Sequence, residues 1–320
     1  MSKLYPVKIS YVPKSRIWGG YELTKLFGKK NGGENIGETW ELTVRSDEMS
    51  KIIGGADDGV ALGDYIDRDK SVLGTKYAGG AFPLLIKFID AADKLSVQVH
   101  PDDEYAALHE KDPGKTEMWY ILDAKPGAKI VYGLADGIAR EDFAAAVARG
   151  EIGSAMGYKE VHKGETYFIP SGLLHAIGEG ILIAEIQQNS DLTYRVYDYE
   201  RRGADGSLRE LHVEKSLDVT KPFSEAEVDA IRFESRDEMD DENTLAHCRY
   251  FRVSKHAVKG EKHFSVSSDS FVSLLCIEGK GHIRYNGEEI ELSSGDSFFL
   301  PAGMGDYDVF GDAEVILSSL

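Results

Sequence analysis

The stretch Gly164-Glu-Thr-Tyr-Phe-Ile-Pro170-Ser-Gly172-Leu-Leu-His175 decides the fold, because a related stretch follows later, Gly295-Asp-Ser-Phe-Phe-Leu-Pro301-Ala-Gly303-Met-Gly-Asp306. Both glycines, the proline and an aromatic pair coincide without a gap. In each copy a glycine turn begins a short strand and a Pro-x-Gly turn ends it. A weaker match precedes the copies, Trp119 to Leu122 against Val272 to Ile277. The repeat predicts two copies of one small β-barrel.

The pattern G-x5-P-x-G-x2-H of the first copy resembles the second motif of the cupin superfamily. The resemblance implies a jelly-roll barrel in which the final histidine, His175, is a metal ligand. The second copy has Asp306 at that position and no His-x-His or Gln-x-His strand upstream. We therefore expect a mainly β protein of two jelly-roll (cupin) β-barrels, the second of them without a metal.

The rest of the chain supports a β framework with a few short helices. Short runs rich in Val, Ile, Tyr and Phe recur between Gly, Pro, Asp and Asn. Helical patterns are few: Val60 to Asp67, Pro101 to His109, Arg140 to Gly150, and Ser224 to Ile231.

The length of 320 residues is about right for two domains. The acidic stretch from Ser235 to Thr244 separates two β-rich regions. We place the domain change before it, giving a metal-binding catalytic domain at 1–215 and a C-terminal metal-free domain at 216–320. The segment from Leu211 to Val219 is predicted to be extended.

The charge limits the partners. The chain has 55 Asp and Glu against 37 Lys and Arg, a net charge of −18. This charge repels nucleic acid and anionic membranes. A phosphorylated substrate would need a local cluster of Lys and Arg to overcome it.

The cysteines and the N-terminus fit a cytoplasmic protein. Cys248 and Cys276 lack metal-binding or redox spacing and are predicted to be buried free thiols. The N-terminal residues Met1 to Pro6 lack the apolar core of a signal peptide, and no apolar run is long enough to span a bilayer.

A polar strand face supplies the candidate metal ligands. Alternation along the segment from Lys94 to Pro101 puts Gln98 and His100 on one face and the apolar residues on the other. Glu117 begins the next strand, and His175 completes two imidazoles, one carboxylate and one amide oxygen. This set suits zinc with an open position, and it equally suits non-haem iron.

Three further segments resemble signatures of type I mannose-6-phosphate isomerases: Leu95-Ser-Val-Gln-Val-His-Pro101, Gly114-Lys-Thr-Glu117-Met-Trp and Gln188-Asn-Ser-Asp191-Leu-Thr-Tyr-Arg195-Val-Tyr-Asp198. Ile17-Trp18-Gly19-Gly20 and Gly37-Glu38-Thr39-Trp40 are also similar. Only 58 positions separate Glu117 from His175, which leaves room for a short helix but not for the helical domain of longer members. The chain resembles the compact bacterial form.

The resemblance implies an isomerase that interconverts mannose 6-phosphate and fructose 6-phosphate through a metal-stabilised cis-enediol. By position, His100, Glu117 and His175 are ligands of one Zn²⁺ per chain and Gln98 is the fourth. Arg195 is the catalytic arginine and holds developing negative charge.

Three further side chains are expected to bind the substrate. The lysines Lys115 and Lys94 lie beside ligand-bearing segments and are expected to hold the phosphate. Trp18 is expected to contact the sugar. The proton-transfer base stays open among Glu185, Asp198, Tyr194 and a zinc-bound water.

Two other functions remain open from the sequence. A cupin dioxygenase would use the same two histidines and carboxylate to bind iron. A non-catalytic sugar-binding cupin would need neither the full ligand set nor the arginine. The expected partner is a small sugar phosphate, with the protein a monomer or homodimer.

Overall fold

The computed structural model describes residues 4–46, 48–203 and 206–320, so the first half of the Met1 to Pro6 segment lies outside the described residues. The strands are β1 (Val7–Ile9), β2 (Val12–Lys14), β3 (Glu38–Leu42), β4 (Val44–Arg45), β5 (Glu48–Met49), β6 (Leu84–Ala91), β7 (Val97–Val99), β8 (Glu117–Ala124), β9 (Lys129–Leu134), β10 (Met156–Glu160), β11 (Thr166–Ile169), β12 (His175–Ala176), β13 (Ile181–Gln188), β14 (Tyr194–Tyr197), β15 (Thr244–His247), β16 (Arg252–Val266), β17 (Val272–Tyr285), β18 (Glu288–Ser293), β19 (Ser297–Leu300) and β20 (Gly305–Ser319). The α-helices are α1 (Glu22–Phe27), α2 (Leu62–Arg68), α3 (Asp103–His109), α4 (Arg140–Arg149), α5 (Val213–Val219) and α6 (Glu225–Arg232), with 3-10 turns at Lys70–Leu73 and Ile152–Ala155.

The strands form three large sheets and one small one. A six-stranded sheet has the order β11-β8-β13-β6-β3-β2, and a five-stranded sheet has the order β10-β9-β12-β7-β14. A seven-stranded sheet has the order β1-β19-β17-β20-β16-β15 with β18 beside β17, and β4 pairs with β5. The prediction of a mainly β protein is confirmed, while no sheet in the described ranges closes on itself.

The sequence repeat has the same local construction in both copies. Strand β11 pairs with β8 in the first copy, and β19 pairs with β17 in the second. The two copies differ where the motif ends: His175 is fully buried, but Asp306 is exposed and lies 3.8 Å from the exposed His263. The inward position of the second copy is taken by Tyr307, which packs in an apolar core.

The four predicted helices are present within one or two residues, and one prediction of extended chain is wrong. Val213–Val219 forms α5 rather than the expected extended segment. Its inward residues Ser216 and Val219 are three positions apart, a helical spacing that the β-branched valines obscure. The sequence did not predict α1. The Glu22 N–H at the start of this helix donates to Asp90 Oδ2 at 2.7 Å. This cap is 68 residues away, so no local capping residue marks the start of the helix.

The N-terminal segment is attached to the C-terminal sheet. Strand β1 pairs with β19, with Val7 opposite Phe299. The buried Lys29 ammonium lies 2.7 Å from Glu41 Oε2 and donates to the Gly295 carbonyl at 2.7 Å. The predicted division at residues 215 and 216 stays a prediction.

The buried ion pair yields a stability prediction. Lys29→Met leaves the Glu41 carboxylate buried without its cation, and breaking such a pair costs about 3–5 kcal/mol. We expect urea unfolding to show that loss in the free energy of unfolding. The double variant Lys29→Met/Glu41→Gln removes both charges and should recover at least half of it. Lys25→Met, which breaks an exposed pair with Glu22, is the control and should leave the midpoint unchanged; an unchanged midpoint in Lys29→Met would contradict the prediction.

The cysteines and the helices can be compared with the sequence predictions. Cys248 and Cys276 are free and buried, as predicted. Among the described residues, no helix combines the length and the apolar character needed to cross a bilayer.

Candidate metal centre and the adjoining cavity

One row of side chains crosses the five-stranded sheet. Gln98 on β7 lies opposite His175 on one neighbouring strand and Arg195 on the other. His100 follows two residues after Gln98 and therefore faces the same way, while Val97 and Val99 pack in a separate apolar core. As predicted from the sequence, Gln98 and His100 lie on one face of β7, and Val97 and Val99 lie on the other.

A second row crosses the six-stranded sheet. Trp40, Lys87, Glu185 and Trp119 are consecutive partners across β3, β6, β13 and β8. Glu117 precedes Trp119 by two residues on the same strand, so its side chain has the same orientation. The two sheets bring the two rows together.

Local structure fixes each ligand-bearing residue. The Pro-x-Gly turn is bonded to the ligand strand, because the Gly172 N–H donates to the His100 carbonyl at 2.9 Å. The Lys115 N–H donates to the Pro101 carbonyl at 3.0 Å. Gly114 lies so close to this segment that a Cβ there would be 2.5 Å from the Asp102 carbonyl carbon. Gly114 is therefore required by close approach of the backbone, and Gly172 by its φ of +93°.

Two histidines and a glutamate form a compact buried group. His100 Nε2 lies 3.5 Å from Glu117 Oε2, and His175 Nε2 lies 3.5 Å from Glu117 Oε1. All three residues are at most 1% exposed. Trp119 Nε1 donates to Glu117 Oε1 at 3.0 Å and to Glu185 Oε2 at 2.9 Å, which orients both carboxylates.

The protonation states suit metal ligands. Burial, followed by the Lys115 ammonium, lowers the pKa of His100 to about 3, and burial also lowers the pKa of His175. His175 Nδ1 lies 2.8 Å from the Leu173 carbonyl, so it donates there and leaves the Nε2 lone pair toward Glu117. Burial would raise the pKa of Glu117, but Lys115, 3.0 Å away, and His100 hold it well below its usual value.

The group fits a divalent metal ion. Both ring nitrogens of His100 are buried and have no hydrogen-bond partner among the described residues, a costly state for each atom. Glu117 Oε2 has only the Lys115 ammonium, at 3.0 Å, as a close partner within those same residues. A tetrahedral zinc site with ligands about 2.05 Å from the ion separates neighbouring ligand atoms by about 3.3 Å. The two separations of 3.5 Å are close to this value. A cation shared by these atoms would satisfy the unpaired lone pairs.

Gln98 lies beside the group. Its amide nitrogen is 3.3 Å from His175 Nε2. Rotating the side-chain amide by half a turn exchanges its nitrogen and oxygen, which occupy almost the same space. The oxygen would then be within reach of the same ion.

A second cluster of possible ligands has a structural explanation. Asp237, Asp240 and His247 also lie close together. Asp240 already accepts from His247 Nδ1 at 2.9 Å and is paired with Arg252 Nε at 2.9 Å. Its carboxylate is satisfied by protein donors.

We call His100, Glu117 and His175 the metal group. A cavity of about 530 Å³ opens beside it. Its lining is rich in charge: the cations Arg16, Lys87, Lys115, Arg195 and Arg209, and the acids Glu38, Glu185 and Asp191. A larger cavity of about 680 Å³ lies elsewhere, beside Tyr77 and Tyr250, and includes none of the three metal-group residues. The smaller cavity is the candidate active site because it alone of the two contains Gln98 and Lys115.

Close backbone packing places two further residues in this cavity. A Cβ at Gly19 would lie 2.5 Å from the Gly37 nitrogen, and one at Gly37 would lie 2.4 Å from Arg16 Cβ. Glycine at both positions lets the two segments touch, and Arg16 and Trp18 then line the cavity.

The family models and relatives agree with this geometry. Residues 7–128 match the catalytic domain of phosphomannose isomerase type I, and residues 241–320 match the cupin domain of mannose-6-phosphate isomerase. The chain is 38% identical to mannose-6-phosphate isomerase ManA of Bacillus subtilis over 98% of this chain and 99% of the relative.

The chain belongs to the type I phosphomannose isomerase family.

Other relatives extend the match. A mannose-6-phosphate isomerase of Streptococcus mutans is 35% identical over 95% of this chain and 94% of its own. The crystal structure of the mannose 6-phosphate isomerase from Bacillus subtilis superposes with a TM-score of 0.88, at 33% identity, over 98% of this chain and 99% of that one. Phosphomannose isomerase from Salmonella typhimurium, at 17% identity and a TM-score of 0.79, over 98% of both chains, shows the same fold.

The structure brings together most of the site residues predicted for this type I phosphomannose isomerase. Gln98, Lys115, Arg195 and Trp18 line the cavity, and the three metal-group residues lie next to it. Lys94 is exposed and lies outside the cavity lining, with its ammonium 3.9 Å from the centre of the Tyr199 ring.

The four candidates for the proton-transfer base differ in their position relative to the cavity. Glu185 lines the cavity. Tyr194 donates to Glu110 at 2.8 Å, and Asp198 pairs with Arg201 and Arg209. Neither Tyr194 nor Asp198 lines the cavity. The fourth candidate, a zinc-bound water, stays a prediction.

Several cavity residues were missed from the sequence. Lys87, Arg16, Arg209 and His212 line the cavity but were not predicted. Lys87 carried a usable signal, because it interrupts the apolar run Leu84–Ala91 and lysine is almost never fully buried without a partner. Arg209 and His212 follow a strand in a polar segment that has no distinctive local pattern.

Proposed function

We propose that this protein interconverts mannose 6-phosphate and fructose 6-phosphate. The observation that carries the proposal is the buried group of His100, Glu117 and His175 beside a cavity lined by cations. Family membership favours this isomerisation over the dioxygenase and the sugar-binding protein, which would use the same fold. The cavity also answers the charge problem, since its lysines and arginines form a local positive region in a chain of net charge −18.

The proposed resident metal is one Zn²⁺, held by His100, Glu117, His175 and the amide oxygen of Gln98. Neutral imidazoles with a carboxylate are typical ligands of catalytic zinc. When bound, the ion supplies Lewis acidity that stabilises negative charge on the substrate oxygens near it. No change of metal oxidation state is needed for this reaction.

Isomerisation moves a proton between neighbouring carbons through a cis-enediol, so the protein needs a proton carrier and groups that hold negative charge. Lys115 is held beside the metal group by Glu117, and we propose that it and Arg195 hold substrate oxygens. Of the open candidates for the base, Glu185 is the protein carboxylate that lines the cavity. Burial and the Glu117 charge raise its pKa, opposed by Lys87 at 3.1 Å, and a raised pKa is the direction that favours a carboxylate as a proton carrier.

The finer architecture belongs to the same proposal. We propose two cupin jelly rolls, the catalytic one at 1–215 and the one without metal at 216–320, and a cytoplasmic monomer or homodimer. The repeated pairing of β11 with β8 and of β19 with β17 supports the two related halves. The apolar core around Tyr307 supports a structural role for the second.

The test is the substrate range of the purified protein. Mannose 6-phosphate, glucose 6-phosphate and unphosphorylated mannose are each incubated with the zinc-loaded protein, and the ketose products are measured by chromatography. We expect fructose 6-phosphate from mannose 6-phosphate, and a value of kcat/KM for mannose lower by more than about 10³-fold because the phosphate-binding groups stay unpaired. No product from mannose 6-phosphate would contradict the proposal, and oxygen consumption would redirect it to dioxygenase chemistry.

A further inference from the structure

The charges of the active-site cavity are balanced at the metal end. Arg16, Lys87 and Lys115 each have a carboxylate oxygen between 2.8 and 3.1 Å away. These cations are therefore neutralised by the protein. A substrate dianion gains less from groups already paired than from unpaired ones.

The other end of the cavity has an excess of positive charge. Arg201 Nη2 lies 2.6 Å from Asp198 Oδ1, and Arg209 binds both oxygens of the same carboxylate, with Nε 2.6 Å from Oδ2. Arg195 donates to neutral oxygens instead, to Ser96 Oγ at 3.3 Å and to the Glu210 carbonyl at 2.8 Å. Asp198 thus pairs with two guanidinium groups, and Arg201 also lies 3.5 Å from Oδ2 of the half-exposed Asp93. In the part of the chain that the structure describes, Arg195 has no carboxylate partner.

The three arginines influence one another. Burial, then the charge of Arg209 and, more weakly, that of Arg201, lower the pKa of Arg195. Like charges this close are unfavourable unless an anion lies between or beside them. Three guanidinium groups against the two carboxylates Asp198 and Asp93 leave the cluster with a net positive charge, which favours binding of a phosphate monoester with a charge near −2.

Donors with suitable orientation lie at the same end. Arg209 uses Nε and Nη2 for Asp198, which fixes the plane of the guanidinium, and Nη1 has no hydrogen-bond partner among the described residues. The Arg195 N–H lies 3.3 Å from His212 Nδ1, so the proton of a neutral His212 ring lies on Nε2. Both Arg209 and His212 line the cavity, whereas Arg201 does not.

We propose that this end of the cavity binds the phosphate of the substrate, that Arg209 contacts that phosphate, and that Asp198 is a positioning residue that holds Arg209 toward the cavity. The proposal rests on the proposed function, since a sugar phosphate is the ligand that needs such a site. It places the phosphate beside Arg209 and the reacting carbons at the metal end, with Arg195, which lies opposite Gln98 on β7, between them.

The first test is Arg209→Gln, measured with inorganic phosphate by isothermal titration calorimetry and with mannose 6-phosphate in steady state. We expect phosphate affinity to fall about 10- to 100-fold and KM to rise to a similar extent, while kcat changes less than about threefold. Arg149→Gln, on an exposed pair with Glu151, is the matched control and should change neither. Unchanged phosphate affinity and KM in Arg209→Gln would overturn the proposal.

The second test separates positioning from simple charge. Asp198→Asn makes the cluster more positive, so charge alone predicts tighter phosphate binding. Positioning predicts weaker binding, by about three- to tenfold, because Arg209 loses its charged, two-point attachment. Tighter or unchanged binding in a folded Asp198→Asn protein would overturn the role of Asp198. If this variant does not fold, Arg209→Gln decides the phosphate contact by itself.

The two proposals fail in different ways. Phosphate binding that depends on Arg209, without isomerisation of mannose 6-phosphate, would reject the proposed reaction and keep the phosphate site. Isomerisation with an unchanged KM in Arg209→Gln would keep the reaction and reject the site.

Discussion

His175→Ala should lose both its metal and its turnover of mannose 6-phosphate while keeping its fold. The side chain is fully buried, its Nε2 faces Glu117, and its Nδ1 is committed to the Leu173 carbonyl. Without this ligand the remaining groups hold a metal weakly, and the loss of Lewis acidity is worth several kcal/mol. We expect kcat/KM to fall by more than about 10³-fold, which corresponds to about 4 kcal/mol.

The measurement combines metal content per chain, by plasma mass spectrometry, with turnover and far-ultraviolet circular dichroism. His162→Ala, which removes an exposed histidine 67% accessible at its side chain, is the matched control and should retain metal and activity. His175→Gln retains more of the buried volume and is used if the alanine variant does not fold. A metal-loaded and fully active His175→Ala protein would remove His175 from the site.

Arg195→Lys should lower kcat by about 10²- to 10³-fold although it keeps the positive charge. The guanidinium is held at two points, by Ser96 Oγ and the Glu210 carbonyl, and a lysine ammonium cannot reproduce that planar geometry. The group is proposed to hold charge that develops during the reaction, so the loss falls on kcat. This contrasts with Arg209, for which the loss is expected in KM.

Steady-state kinetics on the zinc-loaded variants measures the difference. Arg149→Lys, at an exposed position, is the control and should have unchanged kcat and KM. If Arg195→Lys retained the kcat of the original protein and only its KM rose, Arg195 would bind the phosphate rather than the reacting end of the sugar.

The sequence predicted the parts of the site that follow from local patterns. Alternation along β7 correctly orients Gln98 and His100 toward the site, because side-chain direction in a strand depends only on position. The Pro-x-Gly turn predicted that His175 points inward, and His175 is fully buried. The three-residue metal group thus arises from motifs whose geometry is nearly independent of the rest of the chain, although its occupation by zinc stays a proposal.

The sequence did not predict the parts that depend on long-range pairing. The Lys87 and Glu185 contact requires β6 to pair with β13 in one register, 98 residues apart in the chain, and a shift of one residue would reverse both side chains. The positions of Arg209 and His212 depend on how a polar segment returns over the cavity. Asp306 was aligned with His175 by sequence, but the exposed aspartate shows that Tyr307 takes the inward place.

Removal and return of the metal tests the central claim most directly. The purified protein is treated with a chelator, dialysed, and assayed for conversion of mannose 6-phosphate to fructose 6-phosphate before and after stepwise addition of zinc. The account predicts that activity disappears with the metal and returns in proportion to zinc, reaching its maximum at one ion per chain. Full activity in the metal-free protein, or no activity with one zinc ion bound at His100, Glu117 and His175, would contradict it.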